Sequence, residues 1–178
     1  EINKRPDNAI EAGVWDFGQG YAQLRSGNKD AARAYLKTLL TSAGTSKEKF
    51  RENSAQNILG TLGGILEGEI DRAEGNLDKA ITAFRRAVSF EDAMIFDEPE
   101  PLPFSARHWL GAALLQSKQY LEAEQIYRQD LKKHPHNGWS LYGLKAALDG
   151  QGKSTTEIDR DFETSWARSD TWIHGSIF

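Results

Sequence analysis

At 178 residues the chain is long enough for one sizeable domain or a short repeat array, and too short to hold two unrelated globular domains comfortably. Hydrophobic residues make up 39% and charged residues 27%, and no apolar run is long enough to span a bilayer. The 22 basic and 26 acidic side chains are interspersed and leave a formal net charge of -4, so the basic stripe of a nucleic-acid binder is missing; the absence of cysteine removes disulfides, thiolate catalysis and cysteine metal ligands.

The chain begins "EINKRPDNAI", with neither an initiator Met nor a signal peptide, and is expected to be a fragment or a processed form. A soluble, cytoplasmic setting is favoured. The first recurring pattern starts at Gly20: steps of seven, five, four and three lead to Gly27, Ala32, Leu36 and Leu39. The polar, helix-compatible stretch "AGTSKEKFRENSAQN", Ala43 to Asn57, follows, and a connector is expected over 45–60. The same steps from Gly68 give Gly75, Ala80, Phe84 and Ala87. A second connector, 95–103, takes in most of "FDEPEPLPF", Phe96 to Phe104, whose three prolines exclude continuous helix. From Gly111 the steps give Lys118, Ala123, Tyr127 and Asp130.

This offset pattern has a physical reason. Small residues on two consecutive helices let them approach closely, and a large apolar residue one turn further on fills the space beside the crossing. Gly27 and Gly75 suit a left-handed helix end in the turn between them. Each unit is then a helical hairpin with an apolar side that the next hairpin must cover. A fourth, degenerate unit starts near Gly138, with Leu144, Leu148 and Gly152 in register. It carries Lys145, Glu157 and Asp161 where apolar residues belong, which suits a capping hairpin.

On these residues the chain resembles the tetratricopeptide repeat family, most clearly over Phe104 to Pro135, where Leu110, Gly111, Ala123, Tyr127 and Pro135 match the motif. A looser likeness is to bacterial proteins of this repeat class, carried by Asp97 to Pro99, Leu110 to Leu115 and Asn137 to Leu144. The resemblance implies an all-α fold, a right-handed superhelical stack of about four hairpins. The expected layout is a single domain over 1–178, with units at 13–46, 61–94, 104–137 and 138–169 and a C-terminal tail, 170–178.

The resemblance further implies a concave face lined by the first helix of each unit. Its equivalent positions are Phe17, Ile65, His108 and Tyr142, with Tyr21, Glu69, Arg72 and Trp139 beside them. Aromatic faces and isolated charges suit peptide recognition. The expected function is therefore a noncatalytic scaffold binding a protein or peptide, without nucleic acid, membrane span, metal or cofactor. Two alternatives stand beside it: self-assembly into a homo-oligomer through edge helices or the tail "TWIHGSIF", and a small-molecule or metal site near Arg107, Asp130 and the acidic loop Asp97, Glu98 and Glu100.

Four motifs invite chemistry. "LDGQGKST", Leu148 to Thr155, has a P-loop's Gly-Lys-Ser core, yet Ala147 replaces the first glycine and a helix precedes it, so it reads as a turn. His134 and His136 lack a local cluster of further metal ligands and read as a solvated helix end; Asn137 is a candidate N-cap. "DEPE" has no nucleophile or oxyanion hole beside it. Asp130 falls where the second unit has Ala87 and should face packed helices, so its carboxylate needs donors. Arg107 and Arg128 are the candidates, as a structural ion pair or as an anion-binding site.

Overall fold

The computed structural model describes residues 4–177 and contains eight helices and one two-stranded hairpin among them. The chain divides into two compact units, Glu1–Ala106 and Arg107–Phe178, with the division after the first residue of the fifth helix. No helix among the described residues is long and apolar enough to cross a membrane.

In the first unit, α1 (Ala9–Arg25) starts where the Asn8 side chain accepts from the Ile10 and Glu11 amides at 3.0 and 3.1 Å. The Glu48 carboxylate reinforces that end by accepting from the Ala9 amide at 2.9 Å. Gly27, at φ 85°, turns the chain into α2 (Lys29–Thr45), capped by Asn28. Instead of running on as a polar connector to residue 60, the chain forms β1 (Lys49–Phe50) and β2 (Asn53–Ser54), paired antiparallel, and enters helix at Ala55. The Ser54 side chain caps α3 (Ala55–Ala73) by accepting from the Asn57 amide. α4 (Leu77–Asp92) follows the turn at Gly75.

Along α3, thirteen residues are buried. A Cβ at Gly60 or Gly68 would collide with the rings of Phe90 or Phe84, and one at Gly64 with Ala83 and Ala87. The bare backbone of α3 is thus what admits α4, as the small-residue pattern predicts. The first-unit core gathers Leu36, Leu39, Leu59, Leu62, Leu66 and Ile70. Leu102, from the proline-rich connector, also enters this core, and Met94, Phe104, Phe17 and Tyr21 pack against it.

The connector is tied down by polar contacts as well. Asn53 holds the Ile95 backbone in both directions, donating to its carbonyl at 3.0 Å and accepting from its amide at 2.8 Å. Arg51 pairs with Asp97 at 2.7 Å and donates to the Glu98 and Pro99 carbonyls. Glu91 accepts from the Ala106 amide at 2.8 Å and from the Ser105 hydroxyl at 3.1 Å, fixing the start of α5 (Ala106–Gln116).

In the second unit, α5 is followed by α6 (Tyr120–Lys133), α7 (Gly138–Asp149) and α8 (Thr156–Trp166). The Tyr127 ring fills the space that Gly111 on α5 and Gly143 on α7 leave open. Asn137 caps α7, its side chain accepting from the Ser140 amide at 3.1 Å. The "LDGQGKST" stretch is the turn from α7 to α8, with Gly152 at φ 67° and the Lys153 amide bonded to the Leu148 carbonyl. α8 buries no residue fully; Phe162 and Trp166 stack beside Tyr142 and Trp139.

Candidate functional site

The side chains expected to line a concave groove have different environments. On α1, Phe17 and Tyr21 are half-buried, with ring centroids 5.7 Å apart, and Phe104 of the connector lies 6.1 Å from Phe17. The Tyr21 hydroxyl donates to Glu69 at 3.4 Å. Glu69 in turn accepts from Arg72 twice, at 2.8 and 2.9 Å. Phe17, Tyr21, Glu69 and Arg72 thus do come together in the first unit. Ile65 does not join them on a surface: it is 0% exposed and belongs to the core of α3.

In the second unit His108 is buried, its Nε2 3.2 Å from Asp130 Oδ2. Trp139 packs edge-on against Trp166 at 5.2 Å and Tyr142 against Phe162 at 6.2 Å, so α8 covers both half-buried rings.

Asp130 is 0% exposed, as its position in the repeat demands. Its donors differ from those expected. His108 approaches Oδ2, Ser140 of α7 donates to the same oxygen at 2.5 Å, and His134 Nδ1 lies 2.9 Å from Oδ1. Burial alone would raise the Asp130 carboxyl, but the bonds from His108, His134 and Ser140 hold it well below the usual carboxylate range. Arg128 instead pairs with Glu124, one turn back on α6, at 2.9 Å, and stays half-exposed. Arg107 is buried at the start of α5. His134 is accordingly a partly buried partner of Asp130 rather than a solvated helix end, while His136 is exposed.

Glu124 forms a second polar cluster on α6. It accepts from Lys153 at 2.7 Å, Gln151 at 2.9 Å and Arg128, which together pull its carboxyl down to about 2. Among the described residues no group of three or more His, Cys, Asp or Glu side chains is arranged to hold a metal ion.

An open cleft lies elsewhere, in the first unit. It has a volume of about 400 Å3 and lies between the first turns of α1, the β1–β2 hairpin and the connector. Ile10, Val14 and Trp15 form one wall, and Phe50 and Pro101 the others. Val14 is 47% exposed and Phe50 43%, so large apolar side chains face solvent here. The Arg51 guanidinium sits 5.1 Å from the Phe50 ring centre and ties that wall to Asp97. Glu11 and Lys49 are the titratable groups among its ten lining residues, and no nucleophile and base converge in it.

The sequence held a trace of this cleft. Ile10, Val14, Phe17 and Tyr21 follow helical spacing, so an apolar stripe continues from the aromatic pair about two turns towards the N-terminal end of α1. Phe50 and Pro101 gave no such signal, because they arrive from two connectors.

Two family models, both described as tetratricopeptide repeat, match residues 65–137 and 16–46, together more than half of the chain. The α7–α8 hairpin lies outside both. No curated protein matches the chain. Repeats of this family generally serve as scaffolds for protein–protein interaction. With glycines of α3 and α5 receiving Phe84 and Tyr127 from the paired helices, and left-handed turns at Gly27 and Gly75, the all-α chain belongs to the tetratricopeptide repeat family.

Proposed function

We propose that the chain is a noncatalytic protein-binding scaffold, and that the cleft beside α1 receives an apolar side chain from an extended segment of a protein partner. The observation that carries this reading is the exposure of Val14 and Phe50 in the lining of a cleft of about 400 Å3. That volume suits one large aliphatic or aromatic anchor, and burying such an anchor in a pocket is how a few residues come to dominate an interface. Arg51 supports the reading because it holds the Phe50 ring and the connector in place before any partner arrives, which limits the ordering cost of binding.

The expected groove residues Phe17, Tyr21, Glu69 and Arg72 adjoin this picture as a supporting layer, since Phe17 already packs on Phe104 and Glu69 is spent on Arg72 and Tyr21.

A photo-cross-linking residue placed at Val14, at Phe50, or at the exposed Thr82 on α4 tests the assignment in cells of the source organism. One protein is expected to cross-link from positions 14 and 50 and not from 82. Labelling of equal strength from position 82, or none from 14 and 50, would overturn it.

A further inference from the structure

Beyond α8 the chain turns back on its own unit. The Trp166 indole donates to the Thr171 carbonyl at 2.7 Å, and the Ser169 amide bonds the Trp166 carbonyl at 3.0 Å. Ile173, Gly175 and Ile177 are then half-buried, and Ser176 is buried. The Ser176 hydroxyl donates to the His108 carbonyl of α5 at 3.3 Å and lies 2.5 Å from the Tyr127 hydroxyl of α6. A serine has one hydroxyl proton, so while it donates to His108 the Tyr127 hydroxyl is the donor to Ser176. Burial pushes the ionisation of Tyr127 up, keeping it a neutral donor there.

The pair formed by the Tyr127 hydroxyl and the His108 carbonyl thus demands a group that accepts one hydrogen bond and donates another. A hydroxyl meets both demands and a methyl meets neither. Around this point the tail is loosely held: Thr171 and His174 are exposed, and Trp172 is 84% exposed. One buried side chain and its two hydrogen bonds mark a segment that can leave without disturbing a helix.

We propose that residues 173–177 are a displaceable internal ligand of the α5–α6 hairpin. The occupant that replaces them is an extended partner segment with a serine between a glycine and an apolar residue. The tail then acts as a latch, and free partner must compete with it. This proposal is independent of the cleft beside α1, whose residues, occupant and test all differ.

The test uses full-length chains carrying Ser176→Arg or, separately, Ile177→Asp, with fluorescein-labelled peptide TWIHGSIF and its serine-to-alanine version as probes. Each variant is expected to bind the serine peptide at least about tenfold more tightly than wild type does, and about tenfold more tightly than the alanine peptide. Adding Tyr127→Phe should abolish the preference for serine. Equal binding by wild type and both variants, binding by none, or indifference to the serine overturns the proposal. So does a wild-type mass showing dimers with tails exchanged between copies. If neither variant keeps the wild-type helical circular dichroism, the tail is a structural part of the hairpin and the latch fails.

Discussion

At Asp130 a repeat position that takes alanine in the second unit carries a fully buried carboxylate, and three side chains answer it. That the residue would be buried, and would need donors, follows from its place seven residues beyond Ala123 and three beyond Tyr127. The donors expected from the sequence, Arg107 and Arg128, are not the ones that reach it. Arg128 is two residues away, about 200° around a helix, so it points to the other side and finds Glu124 four residues back. His134, four residues on, shares the face of Asp130. Ser140 arrives from α7, and a spacing within α6 says nothing about it. Because the folded carboxyl of Asp130 is depressed, its stabilising contribution is full above the unfolded carboxylate value of about 4 and is lost as pH falls below it. Asp130→Asn should cost about 3 kcal/mol near neutral pH, since an amide N-H replaces an acceptor facing three donors. It should also flatten the loss of stability between roughly pH 4 and pH 2. Glu124, pulled down to about 2, keeps a weaker acid slope in the variant. Urea melts of both chains across that range, followed by circular dichroism, check the magnitude and the slope; parallel curves would contradict it.

The hairpin turns show the same economy at the level of elements. Gly27, Gly75, Lys118 and Gly152 all occupy left-handed backbone, with φ of 85°, 81°, 59° and 67°. Their recurrence at one step of the offset pattern is why the helical hairpins were legible before any coordinates. Lys118 is the exception, a side chain bearing a Cβ where the turn wants none. Lys118→Gly is therefore expected to stabilise the chain by about 0.5 to 1 kcal/mol, the relief of the left-handed strain exceeding the added freedom of the unfolded glycine. A higher urea midpoint with unchanged slope is the expected reading. The connectors were less legible for a related reason. "KFREN" has little alternation and no glycine, and its hairpin depends on Arg51 taking φ 53° and on Asn53 gripping Ile95, forty-two residues away. Leu102 likewise enters the first-unit core, and Phe104 packs against it, from a stretch whose prolines announced only that it was not helix.

Taken over its whole length, the chain is graded in burial. The third helix buries thirteen residues, whereas α8 buries none and meets α7 through Phe162, Trp166 and the Lys145–Asp159 pair. The polar residues Lys145, Glu157 and Asp161 marked this last hairpin as a cap, since an outer helix needs only one apolar stripe. Which inner-face aromatics stay open was not legible, because side chains from other elements decide it. Phe104 lies against Phe17, and Phe162 and Trp166 of α8 lie against Tyr142 and Trp139. In an array whose elements contact their neighbours, opening free energy should follow the local burial of each helix rather than one global value. Native-state amide exchange read by mass spectrometry should then show α8 exchanging first and α3 last. Trp166→Ala, which removes the ring stacked on Phe162 and set against Trp139, should speed exchange in α8 by at least about tenfold, equivalent to roughly 1.4 kcal/mol, and leave α3 unchanged. If α3 accelerates equally, the chain opens as one cooperative body, and the grading of burial has no counterpart in its energetics.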